Sequence, residues 1–213
     1  MSRPATPGPA PRVGVLALQG GVVEHERVLT ALGADPVRVR RPADLAALDA
    51  LVLPGGESST LSRLLDLAGL REPLRAAIAG ELPTLGTCAG LVLLAARLEN
   101  PAPGQRTLGL LDITARRNAF GPQVASTEAV ASWRWPGAPT VVRAAAIRAP
   151  EVTELGVDVE VLSRLVDATG EHVVGVRAGH VLALALHPEL VGDPTAHTAL
   201  LDLVAARRTA PAV

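Results

Sequence analysis

The chain has 213 residues, 48% hydrophobic and 19% charged, with a formal net charge of -1. That balance can bury the core of one domain and excludes a disordered or transmembrane chain. All 20 basic residues are arginine and they are scattered, so a nucleic-acid or anionic-membrane footprint, Schiff-base chemistry and a P-loop lysine are excluded. A single cysteine, Cys88, rules out an internal disulfide and a cysteine-rich zinc site. Three aromatic residues, Phe120, Trp133 and Trp135, cannot build a stacking platform for single strands.

Residues 1–12 are proline-rich and lack the apolar core of a signal peptide. They are expected to form a flexible tail before one domain over residues 13–207, with a second short tail over 208–213, in a reducing, cytoplasmic compartment. Val13 to Leu18 is a short apolar run ending in Gln19-Gly20-Gly21. A helical pattern follows through Val22, Val23, Val28, Leu29 and Leu32 and stops at Gly33. The unit recurs where Leu51 to Leu53 runs into Pro54-Gly55-Gly56-Glu57, after which Ser58, Ser59 or Thr60 can cap a helix carrying Leu61, Leu64, Leu65 and Leu67. Thr84 to Gly86 then leads through Cys88 into a helical stretch from Leu91 to Leu98. Alternating strands and helices imply an α/β fold with a mainly parallel sheet covered on both faces.

Beyond Asn100 the text becomes β-rich: Asp112–Ala115, Val124–Val130, Val141–Ile147, Val157–Leu162, Val173–Val176 and Val181–Leu186 read as strands that extend the sheet in mixed sense. The segment around Trp133 and Trp135 fits either an interface or a cap over a small core. A last helix is expected from about Pro194 to Ala206, with Asp193 as its cap.

Three segments carry chemistry. Gly86-Thr87-Cys88-Ala89-Gly90 places a thiol between glycines where a strand turns sharply into a helix, the setting of a nucleophile elbow, with the Ala89 amide facing a developing oxyanion. His187-Pro188-Glu189 follows an apolar strand. In an extended segment, residues two apart share a side, so the carboxylate of Glu189 can orient the imidazole of His187 and the imidazole can serve Cys88. Pro54-Gly55-Gly56-Glu57-Ser58 supplies glycines whose amides can approach a ligand closely. All three fall at the carboxyl ends of strands, where open parallel sheets bind ligands. His25, His172, His180 and His197 show no ligand-like pairing with acidic or thiol groups, so each reads as a surface or locally bonded residue, and neither a metal nor a cofactor is expected.

These three motifs, in this order, resemble the class I (triad) glutamine amidotransferases, which implies a single-domain, flavodoxin-like three-layer fold. Gly14-Val15-Leu16-Ala17-Leu18-Gln19-Gly20 with Glu24-His25, Arg117-Asn118-Ala119-Phe120-Gly121-Pro122-Gln123, and Ile147-Arg148-Ala149-Pro150 narrow the resemblance to the glutaminase subunits of pyridoxal 5'-phosphate synthase, the PdxT/SNO family. The likeness implies hydrolysis of L-glutamine to glutamate and ammonia. It also implies delivery of the ammonia to a (β/α)8-barrel synthase subunit that builds pyridoxal 5'-phosphate from ribose 5-phosphate and glyceraldehyde 3-phosphate. It further implies Cys88, His187 and Glu189 as the triad, Gly56 and Ala89 as oxyanion donors, and Gly56, Glu57, Ser58, Arg117, Ile147 and Arg148 as the glutamine site. The glutaminase of imidazole glycerol phosphate synthase would keep the triad but lack the Arg-Asn-x-Phe-Gly and Ile-Arg-Ala-Pro strings. A peptidase or esterase would have no use for Glu57, and a non-catalytic regulatory relative would have lost a triad residue.

Overall fold

In the computed structural model, which describes residues 8–119 and 127–209, the hydrophobic runs become β1 (Arg12–Leu16), β3 (Ala50–Leu53), β4 (Thr84–Thr87) and β12 (Val181–Leu184). Together with β2 (Asp35–Val39), β10 (Glu160–Asp167) and β11 (Gly170–Ala178), they form a seven-stranded sheet in the order β10-β11-β12-β4-β3-β1-β2. The five strands from β12 to β2 pair in parallel, and β11 and β10 add on antiparallel. The four strands β1, β3, β4 and β12 are almost wholly buried, as sequence runs without alternation require when both faces are covered.

Helices α1 (Val22–Ala31) and α2 (Ser58–Leu67) follow β1 and β3. The chain steps one way along the sheet from β1 to β2 and the opposite way from β3 to β4. Right-handed crossovers therefore put α1 on one face and α2, with α3 (Arg71–Ala79), on the other. The last helix, α5 (Thr195–Thr209), meets α1 through the rings of His25 and His197, centroids 5.0 Å apart. The sheet reverses direction between β1 and β3, the switch point where such folds bind ligands.

Several sequence expectations are corrected. α2 is capped by none of Ser58, Ser59 and Thr60: the cap is Glu57, whose carboxylate accepts from Ser59 N at 3.2 Å and Thr60 N at 2.6 Å. The helix after Cys88 is α4 (Ala89–Leu94), and the chain then turns into β5 (Ala95–Glu99) rather than staying helical to Leu98. There Arg97 reaches Thr114 and Asp112 on β6 (Leu111–Arg116), so pairing across strands overrides local helix preference. β2, α3 and β9 (Glu151–Leu155) are additional to the elements expected from the sequence; β9 completes a three-stranded sheet β5-β6-β9. The strand read over Val124–Val130 lies partly outside the described residues; β7 (Thr127–Ser132) pairs with β8 (Val141–Ala146) as a separate hairpin.

At the ends, Arg12 already pairs in β1, and α5 runs on to Thr209, with Arg208 bonded to Asp49 at 2.9 Å. Asp193 accepts the Thr195 amide at 2.8 Å. Of the two tryptophans, Trp133 is buried, while Trp135 donates to Asp202 on α5 and lies under the Arg177 guanidinium, so both pack onto the sheet-helix body.

Candidate active site

The strand ends converge as the motifs require. Cys88 stands between β4 and α4 with φ of 47°, a left-handed conformation that costs a non-glycine residue of order 1–3 kcal/mol and is held by its surroundings. Its amide donates to Leu184 O of β12 at 2.8 Å. Gly90 follows because no side chain fits: a Cβ there would stand 2.0 Å from Leu53 O. Gly55 sits between the thiol and the imidazole, where a Cβ would come within 2.1 Å of His187 Cε1 and 3.2 Å of Cys88 Cβ.

His187 is pinned by exchanging both backbone hydrogen bonds with Ala145 of β8, and its Nδ1 lies 2.8 Å from Glu189 Oε1. The expected pairing forms, but through a different geometry. Glu189 belongs to the 3-10 turn Pro188–Val191, not to an extended segment, and the turn swings the carboxylate back under the ring. Burial works against the charged imidazole, but Cys88 and the Glu189 carboxylate outweigh it and lift the His187 pKa to about 10. The ring is thus protonated at neutral pH beside Cys88, where its charge can stabilise a thiolate nucleophile.

A cleft of about 360 Å³ opens over these groups, lined by Gln19, Gly20, Gly21, Gly55, Gly56, Glu57, Ser58, Cys88, Ala89, Val92, Arg117, Asn118, Ile147, Arg148, Pro150, His187 and Leu190. Every residue assigned from the sequence is there except Glu189, which lies behind His187, buried to 4% exposure. The carboxylate of Glu57 is fully engaged by Ser59, Thr60 and, at 3.1 Å, the Arg117 guanidinium. Burial opposes its charge, yet the hydroxyl and amide donors of Ser59 and Thr60 win and hold its pKa at about 2. Arg148, φ 45°, is exposed at the rim; Ser58 accepts from Gln105 at 3.1 Å. The side chain of Gln19 packs on Gly56 and takes the Glu57 amide at 3.0 Å. Phe120 to Gln123 of the arginine-asparagine string lie outside the described residues.

What the sequence reading missed lies beneath the cleft. His25 and His197, read as surface or locally bonded residues, are fully buried, and His172 pairs with the carboxylates of Glu151 and Asp167. His25 Nδ1 is 2.8 Å from His197 Nε2, and His25 Nε2 is 3.1 Å from Thr87 Oγ1 and 3.5 Å from Glu189 Oε1. Thr87 Oγ1 in turn accepts the Gly55 amide at 3.0 Å. Helical spacing held a signal: His25 stands three after Val22 and four before Leu29, on the apolar stripe. Among the described residues, no group of three or more His, Cys, Asp or Glu could hold a metal ion.

A doubly wound sheet with an elbow cysteine, a His-Glu pair and a glycine-lined cleft at its carboxyl edge is the arrangement expected of a class I glutamine amidotransferase. Comparison with known proteins agrees: residues 15–202 match the model of the SNO glutamine amidotransferase family, and the chain belongs to that family. It is 54% identical to the pyridoxal 5'-phosphate synthase subunit PdxT of Acidothermus cellulolyticus over 94% of this chain and 97% of the relative. It is 50% identical to the PdxT subunit of Cutibacterium acnes over 92% and 98%. A solved structure described as a glutamine amidotransferase superposes with a TM-score of 0.81 at 42% identity, covering 91% of this chain and 98% of that one. The structure of PurLQS from Thermotoga maritima shares the fold at a TM-score of 0.65 and 18% identity, over 94% and 100%.

Proposed function

We propose that this chain is the glutaminase subunit of a pyridoxal 5'-phosphate synthase, with Cys88, His187 and Glu189 as its catalytic triad. The observation that carries the mechanism is the Cys88 elbow facing an imidazole whose far nitrogen is bonded to Glu189. The thiolate attacks the side-chain amide carbon of glutamine. The amides of Gly56 and Ala89 receive the oxyanion, and the His187 imidazolium gives its proton to the departing ammonia, leaving a glutamyl thioester. Water, deprotonated by His187, then cleaves the thioester to glutamate and returns the thiolate. Glu189 keeps the imidazole in one tautomer and stabilises its charged form.

Glutamine's α-carboxylate meets Arg148 and Arg117, and its α-ammonium meets Glu57, whose Oε1 exchanges its bond to Arg117 for the ammonium. Ser58 and Ile147 line the chain between. Ammonia passes to a synthase partner built as a (β/α)8 barrel in a hetero-oligomer, docked over the mouth near Gln19, Gly20 and the Gly55-Gly56 turn. Exposed Leu190, which lines that mouth, offers it apolar surface. A glycine pair in the oxyanion loop lets a peptide flip silence the free glutaminase until docking restores the donor, about a hundred- to a thousandfold effect on kcat. The test is glutamate formation from glutamine with and without the synthase partner. Cys88-dependent activity that rises on addition is expected; no glutaminase activity in the assembled complex overturns the reading, and equal turnover overturns the switching alone.

A further inference from the structure

Below the triad, the structure contains a polar layer that the reaction as described leaves unused. His25 on α1 and His197 on α5 are both inaccessible to solvent, 172 residues apart in sequence, and bonded ring to ring at 2.8 Å. Burying two imidazoles is costly unless their polar atoms are satisfied, and only one tautomer pair does this well. If His25 carried its proton on Nδ1, its bare Nε2 would face the Glu189 carboxylate at 3.5 Å. His197 would then carry its proton on Nδ1, which has no partner among the described residues, and leave a buried N–H orphaned. With the opposite tautomers, His197 Nε2–H donates to His25 Nδ1, and His25 Nε2–H points between Thr87 Oγ1 and Glu189 Oε1. The only orphan of the pair is then a bare nitrogen.

The oxygen His25 faces is the same Glu189 Oε1 that binds His187 Nδ1, and the hydroxyl it faces is the one that accepts the Gly55 amide. Among the described residues Glu189 Oε2 has no partner, so the carboxylate depends on Oε1 for its orientation. We propose that His25 is a positioning residue: its Nε2–H, fixed by His197, ties the carboxylate of Glu189 to Thr87 and so registers the triad against the glycine loop that roofs the thiol. Neither ring touches substrate. Burial, with the neighbouring imidazoles, keeps the His25 pKa well below its usual value, and burial brings that of His197 to about 4, so both stay neutral donors and acceptors under assay conditions.

This inference rests on the proposed glutaminase reaction, so the test uses the complex with its synthase partner, in which wild-type, Cys88-dependent glutamate release is measured first. His25→Gln and His25→Asn are both polar, but only the glutamine amide reaches the Nε2 position. His25→Asn should lower kcat about tenfold or more with KM changed less than about threefold, and His25→Gln should recover most of that loss. His197→Leu should lower kcat by a few-fold, and the pair His25→Asn with His197→Leu should be no worse than His25→Asn alone, because the second change acts through the first. Equal kcat for the Gln and Asn variants, or additive losses in the double variant, would mean that the histidines merely fill space and would overturn the proposal. If neither His25 variant folds, unchanged kcat in His197→Leu overturns it. Absence of wild-type glutaminase activity would instead strike the underlying reading.

Discussion

The two halves of the chain build the cleft by different means. From β1 to α4, the walls are strand ends and tight glycine turns: at Gly55 and Gly90 a single added carbon would collide with His187 or Leu53 O. From β6 to β9, the opposite wall is made of loop residues, Arg117, Asn118, Ile147 and Arg148, two of them in left-handed backbone and most reaching in by side chain. A parallel sheet fixes atoms to a few tenths of an ångström at its carboxyl edge, which bond-making needs. Loops place charges that a zwitterionic ligand can adjust to. The contrast predicts that damage to the first half should fall on kcat and damage to the second on substrate capture.

The largest effect is expected from Cys88→Ala, which removes the nucleophile: glutamate release by the complex should fall roughly 10⁴-fold or more, with the fold and glutamine binding retained. Substantial turnover by the folded variant would end the assignment. Next comes Gly55→Ala, whose methyl would displace the His187 ring. A kcat loss of about a hundredfold is expected from so small a misplacement, and a variant with wild-type kcat would show that the loop yields freely.

The neutral substitution Arg148→Gln tests the other wall, and Glu57→Gln tests a charged substrate contact that the first wall supplies. Each should lower kcat/KM for glutamine about ten- to a hundredfold while Cys88 still reacts with a glutamine-like diazo-ketone. If both keep the wild-type value, the substrate pose is wrong.

The last prediction concerns stability rather than turnover. Burial holds the folded pKa of His197 at about 4 against 6.5 unfolded, so between those values the unfolded chain binds a proton that the native one refuses. This residue alone should therefore lower stability by roughly 3 kcal/mol as pH drops from 6.5 to 4. On the alkaline side, His187, with a folded pKa of about 10, contributes stability that is complete below 6.5 and disappears as pH rises towards 10. Urea midpoints across pH would check both limbs, and His197→Leu should make the acid limb shallower and leave the alkaline one unchanged.

What the sequence determined by itself was whatever depends on near neighbours in the chain. The apolar runs at Val13, Leu51, Leu85 and Leu182 could only be buried strands. Glycines flanking Cys88 and preceding Glu57 could only be turns that crowd a backbone, and Arg-Asn and Ile-Arg-Ala-Pro carried the family resemblance. Tertiary structure decided the rest, because it depends on residues far apart. Glu57 became a helix cap because α2 begins beside it, and Leu94 ended its helix because β6 stood ready to pair with the next residues. Glu189 reached His187 through a 3-10 turn that the Ala145 bridge makes possible. His197 looks like an ordinary polar residue in sequence, and His25 shows itself there only by its place on the apolar stripe of its helix. Only the packing of the first helix against the last brings them together under the triad, where burial leaves each ring little choice but the other as its partner.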